Sequence, residues 1–136
     1  MSNRSEGTGF EQEFCEILFN NGFWAHNIAQ KAAGQPSDII AIRGEKAFLI
    51  DCKVCSRDYF RLSRIEENQE SSMTLWENRS VNNAWFALKM ADDRIYMISF
   101  RQLISLRSQN YKSVTKSMLS LYANTLEEWL EDDYIL

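Results

Sequence analysis

The stretch Gly34-Gln35-Pro36-Ser37-Asp38-Ile39-Ile40-Ala41-Ile42, followed after a short turn by Phe48-Leu49-Ile50-Asp51-Cys52-Lys53, constrains this chain more than any other. Two apolar runs, separated by Gly44-Glu45, predict two adjacent strands, over about Asp38–Arg43 and Ala47–Lys53. Each run carries an acid at its edge. Residues i and i+2 of a strand share a face, so Asp51 and Lys53 are expected to point the same way, with Cys52 turned inward as a small hydrophobe. A hairpin brings Asp38 beside them.

Two carboxylates and an ammonium on one sheet face suit metal-assisted hydrolysis of a phosphodiester. Carboxylates from separate elements hold Mg²⁺, with Mn²⁺ able to substitute, and the ion polarises the phosphate and acidifies bound water. A lysine beside them orients that water or stabilises charge at phosphorus. Asp38 and Asp51 are the expected ligands, the main-chain carbonyl of Cys52 a further oxygen donor, and Lys53 the catalytic lysine. Each has a plainer explanation. Asp38 follows Pro36-Ser37 as a turn residue would, and Asp51 with Lys53 could be a salt-bridged, solvent-facing edge.

Elsewhere the pattern predicts alternating elements. Gly9–Asn20 reads as a helix through Phe10, Phe14, Ile17 and Leu18, with Thr8 and Glu11 as a capping box and residues 1–8 as a flexible lead. Phe23–Ile28 is a short strand or connector, and Ser56–Leu62 a connection or extended arm. Ser63 is expected to cap a helix over Arg64–Glu77. Ala84–Leu88 reads as a central strand, Arg94–Phe100 as the next, and Ser99 or Phe100 as the start of another helix. Ser113–Ser117 is ambiguous, and Met118–Leu130 is helical by pattern. The expected fold is α/β, a mixed central sheet flanked by helices in a single domain over residues 9–136.

Composition narrows the classes. With 136 residues, 45% hydrophobic and 25% charged, the chain matches one globular domain rather than a disordered segment. No run is long and apolar enough for a membrane span, and no signal peptide is apparent, so a cytoplasmic setting in a bacterium or phage-infected cell is expected. Cys15, Cys52 and Cys55 form neither a disulfide set nor a full zinc pattern. The net charge of -4 opposes bulk attraction to nucleic acid, but the acids concentrate near Glu127–Asp133 while Lys31, Arg43, Lys46, Lys53, Arg57, Arg61 and Arg64 cluster mid-chain.

Further residues bear on chemistry. Glu11 is the candidate third acid, although the Thr8 capping box explains it without catalysis. Gln69, after the Lys53 strand, could bind water or steady the lysine, but a glutamine on a helix surface is unremarkable. His26, near Trp24, is more simply structural. Tyr59, Phe60 and Arg61 form a possible arm for bases or phosphates, in competition with local packing.

Pro36-Ser37-Asp38 and Asp51-Cys52-Lys53 together resemble the signature of the restriction-endonuclease-like nuclease superfamily, Asp…(Asp/Glu)-x-Lys. The resemblance implies that Glu11 completes the metal site. Phe60-Arg61-Leu62-Ser63-Arg64-Ile65 followed by Asn68-Gln69 is similar to the segment after the catalytic lysine in Holliday-junction resolvases of bacteria, phages and archaea, which implies a site role for Gln69. The similarity runs from Gly9 to about Leu88, with Arg61 in place of a usual proline, Asn68 in place of a histidine, and Asp51 in place of the commoner glutamate.

What the resemblance implies is a Mg²⁺-dependent endonuclease of branched DNA that leaves 5′-phosphates and works as a homodimer, for which Trp76, Trp85 and Trp129 offer interface material. Arg4, Lys31, Arg57, Tyr59, Arg61 and Arg64 are the expected DNA contacts. Two other functions fit the same residues: a nuclease of RNA or single strands, and a non-catalytic module that binds nucleic acid or inhibits a DNA-handling protein.

Overall fold

In the computed structural model, residues 3–28, 39–79 and 83–131 are described. A first helix, α1 (Asn3–Asn20), leads into strand β1 (Trp24–Asn27), and strands β2 (Ile39–Arg43) and β3 (Lys46–Val54) follow. Strand β4 (Tyr59–Arg61) and a 3-10 turn at Leu62–Arg64 lead to α2 (Glu67–Arg79). Then come β5 (Ala84–Lys89), β6 (Ile95–Ser99), α3 (Phe100–Ser108), β7 (Ser113–Thr115), α4 (Lys116–Tyr122), β8 (Asn124–Thr125) and α5 (Leu126–Glu131).

Six strands form one sheet in the order β1-β2-β3-β5-β6-β8, while β4 and β7 make a separate two-stranded ribbon. The sheet is mixed: β3 and β5 are parallel, and the other pairs are antiparallel. The β2–β3 hairpin is closed by Gly44 and Glu45 between the paired Arg43 and Lys46. Gly44 has φ +62°, which an L side chain rarely adopts, and a two-residue hairpin loop with glycine first suits the right-handed strand twist.

Strand β3 is covered on both sides, with Phe48 to Cys52 buried without a break, as expected of a strand that joins a parallel pair. Its two faces belong to different cores. Phe48, Ile50 and Cys52 pack with Phe10, Phe14 and Leu18 of α1 and with Leu126 and Trp129 of α5. Leu49 packs with Met73 of α2, Leu103 and Leu106 of α3, Leu119 of α4, and the ribbon residues Phe60 and Val114. Cys52 and Cys55 fall in these opposite cores, so their two-residue spacing does not bring the thiols together.

Several expected boundaries move. The first helix begins at Asn3, so Thr8 lies inside it and cannot be its N-cap, which removes the capping box as an explanation for Glu11. At its other end, Phe23 N–H donates to Leu18 O at 3.0 Å and Gly22 N–H to Phe19 O at 3.2 Å. This is a Schellman stop, with Gly22 at φ +86°. Ser63 does not cap a helix over Arg64–Glu77. The 3-10 turn intervenes, and α2 starts at Glu67. Ser99 does cap α3, its hydroxyl accepting from Gln102 N–H at 3.1 Å.

The expected helix over Met118–Leu130 is broken. Asn124 and Thr125 pair with Met97 and Tyr96 as the sheet's last strand, and Thr125 restarts the chain as α5 by a reciprocal bond with Glu128. The break places Trp129 at the core: it stacks on Phe23 at 5.6 Å and meets Phe48 and Trp85 edge-on at 5.4 and 5.9 Å. Trp129 is fully buried, which leaves it no surface for an interface, and Trp85 is partly buried against the same core. Arg43 closes this corner, donating to Asn21 O and Leu130 O and lying 4.5 Å over the Phe23 ring.

Two predictions test this packing. Trp129→Ala removes the ring that joins α5 to the sheet and should cost about 3–5 kcal/mol in chemical denaturation. Between α2 and α3, Arg107 holds Glu70 through two bonds of 2.7 and 2.8 Å, and that hydrogen-bonded guanidinium keeps the Glu70 carboxyl below its usual range. A depressed native pKa stabilises above the unfolded value of about 4.3 and is lost as pH falls through the native one. Arg107→Met should therefore cost under about 1 kcal/mol at neutral pH, since both side chains are part-exposed, and the difference should vanish in acid.

Candidate active site

Alternation along β3 decides what its two polar residues see. Leu49, Asp51 and Lys53 share the face that looks toward α2, while Ile50 and Cys52 look toward α1. Asp51 is 1% exposed, and Lys53 Nζ lies 3.3 Å from its Oδ2. The lysine side chain is 13% exposed, so the pair does not form a solvent-facing edge.

The other carboxylate oxygen is held from α2. Gln69 Nε2 donates to Asp51 Oδ1 at 3.1 Å. The Gln69 amide is itself fixed, because its Oε1 accepts from Glu66 N–H at 3.2 Å. That bond satisfies one donor at the helix start while aiming the amide nitrogen at the strand. Asn68 Oδ1 accepts from Gln69 N–H at 3.0 Å. Gln69 therefore contacts Asp51, rather than Lys53 as the sequence led us to expect.

The remaining expected residues are placed as follows. Asp38 and Lys31 lie outside the described residues, as does the side chain of Arg4. Glu11 is part-exposed on α1, whose buried residues Phe10 and Phe14 pack on the Cys52 face of the sheet, so its helix lies across β3 from the Asp51 carboxylate. Among the described residues no three His, Cys, Asp or Glu side chains gather as a metal cluster. His26 stacks on Trp24 at 6.1 Å.

The cations divide into two groups. Arg43 closes the α5 corner, and Lys53 serves Asp51. Arg64 donates to Val54 O at 3.0 Å and lies over Phe60, which ties the 3-10 turn to the end of β3. The same guanidinium approaches Cys55 Sγ, but burial outweighs it and pushes that thiol up. Arg57 and Arg61 stay on the surface, Arg61 lying 5.7 Å over the Tyr59 ring. Sequence reasoning did not find the Glu66 main-chain donor that aims Gln69; the short turn before α2 was the signal.

A buried carboxylate carrying an ammonium and an amide is an unusual use of a central strand. Desolvating both charges is expensive, and an apolar pair of similar size would serve folding as well. Such sites concentrate where chemistry is done.

No curated protein matches the chain. Among solved structures, the 1.6 Å structure of Hjc, a Holliday junction resolvase from the archaeal hyperthermophile Archaeoglobus fulgidus, superposes with a TM-score of 0.72 at 20% identity. That match covers 91% of this chain and 99% of the other, so the mixed sheet and its flanking helices are shared almost end to end. A family model described as archaeal Holliday junction resolvase (hjc) matches residues 2–131. With nearly the whole chain matched, this protein belongs to the archaeal Holliday junction resolvase family, whose fold and branched-DNA nuclease class it shares.

Proposed function

We propose that this chain cuts four-way DNA junctions by metal-assisted hydrolysis at Asp51, and that it does so as a homodimer. The observation that carries the reading is the Asp51 carboxylate, buried and held between Lys53 and Gln69. Asp51 offers hard oxygen donors, as Mg²⁺ or Mn²⁺ requires, and the adjoining Cys52 carbonyl is a further oxygen of the same kind. Asp38 immediately precedes Ile39, whose partner across the hairpin is Ile50, and we assign it as the second carboxylate. Glu11 is the third.

A divalent cation bound there supplies Lewis acidity and a more acidic water. The chain's own residues do the rest. Lys53 stands at the exposed side of Asp51, where its ammonium meets the phosphate and balances charge that develops on it. Gln69 fixes the orientation of the Asp51 carboxylate, as an outer residue does for a metal ligand. Arg4, Lys31, Arg57, Tyr59, Arg61 and Arg64 supply contacts to the DNA, and the products carry 5′-phosphates. Two symmetrically placed copies would cut opposed strands of one junction.

The test is a cleavage assay with Mg²⁺ or Mn²⁺ on four-way, forked, linear and single-stranded DNA and on RNA. Metal-dependent cutting should favour the four-way substrate and disappear in Asp51→Asn and in Lys53→Ala, with both variants folded. Binding to junctions without cutting under any metal would replace this reading with that of a non-catalytic module. Gln69→Leu should lower activity about 10–100-fold and raise the metal concentration needed for half-maximal rate. An unchanged metal requirement in that variant would show that Gln69 is only packing.

A further inference from the structure

The β4–β7 ribbon presents two chemically different faces. Phe60 and Val114, paired across it, are both fully buried in the core. Alternation then turns Tyr59 and Arg61 outward, opposite their partners Thr115 and Ser113. Leu62 N–H donates to Lys112 O at 3.0 Å, which extends the pairing one step and brings Tyr111 and Lys112 beside the 3-10 turn. The result is an open groove of about 630 Å³ with Leu62 and Ile65 at its floor.

Charge distinguishes this groove from an ordinary surface furrow. Of its cations, Arg107 is neutralised by Glu70 through two short bonds. Arg61 and Lys112 have no carboxylate within ion-pair distance among the described residues. Arg61 is instead steadied by aromatic contact, lying over Tyr59 and donating to its hydroxyl at 3.4 Å. That neighbouring guanidinium lowers the Tyr59 phenol pKa. Tyr111 is 45% exposed, and Ser113 adds a hydroxyl. Two uncompensated cations among hydroxyl groups, on a chain of net charge -4, complement a string of phosphates.

Position makes the same point. Strand β4 begins six residues after Lys53, and the 3-10 turn that floors the groove continues into α2, which delivers Gln69 to Asp51. The ribbon is joined to the Asp51 site through the end of β3, where Arg64 binds Val54 O, and through the start of α2. We propose that the β4–β7 groove holds the sugar–phosphate backbone of one DNA arm, with Arg61 and Lys112 each neutralising a phosphate. The inference rests on the nuclease reading and adds to it the start of β7, which begins 54 residues after β4 in sequence, as a DNA contact.

The test is junction binding by fluorescence anisotropy in EDTA, with salt varied from about 50 to 200 mM, using the full chain. Each phosphate contact contributes about 0.9 to the slope of log affinity on log salt. The Arg61→Ala/Lys112→Ala double variant should therefore lose about 2 from that slope. Wild-type binding should weaken about tenfold more than that of the variant over the fourfold rise in salt. Arg61→Lys/Lys112→Arg should restore the slope, and circular dichroism should show all forms folded. An unchanged slope in the alanine variant overturns the groove assignment even if wild type cuts junctions. An inert wild type whose slope still depends on these two residues overturns the nuclease reading and upholds the groove.

Discussion

A single carboxylate, taken out of water in the middle of a sheet, sets the terms for the structure around it. Asp51 follows Phe48, Leu49 and Ile50 within the buried run of β3, in a position where a charge is stable only if its oxygens are answered. Lys53 reaches one oxygen from two residues along the same strand, and Gln69 reaches the other from a helix eighteen residues on. Such an arrangement is weak support for stability, since a hydrophobic pair would pack as well without the desolvation penalty. Its value lies in the fixed direction of the carboxylate.

That direction depends on the crossover between the parallel strands β3 and β5. The chain leaves β3, pairs β4 with the distant β7, turns through Leu62–Arg64, and starts α2 over the face that carries Asp51. Phe60 and Val114 anchor the ribbon, Arg64 binds the ribbon's turn back to Val54, and Glu66 orients the Gln69 amide. Each contact uses a side chain or main-chain group that would otherwise need a partner of its own. Folding demands and site geometry are thus met by the same few residues.

Much of this was legible in the sequence where one local rule governed. The β2–β3 hairpin followed from apolar runs around Gly44-Glu45, and the shared face of Asp51 and Lys53 followed from the period of a strand. The start of α3 was legible at Ser99 or Phe100. Legibility ended where distant pairing decided the outcome. Ser113–Thr115 became a strand only because Tyr59–Arg61 was there to pair with it. Asn124 and Thr125 interrupted a good helical pattern because Tyr96 and Met97 offered a sheet edge. Gln69 stood out as a residue, but the atom it holds depends on where the crossover sets α2. The groove contacts Tyr111 and Lys112 carried no local signal at all.

The central claim is that the buried Asp51 carboxylate is a metal ligand, and Mn²⁺ binding tests it without reference to any substrate. Titration of the DNA-free protein, followed by the electron paramagnetic resonance signal of free Mn²⁺, should show saturable binding. The isosteric Asp51→Asn variant, folded by circular dichroism, should show that binding lost or weakened at least tenfold. Equal Mn²⁺ binding by the two proteins would contradict the account, because the ion would then be held somewhere else.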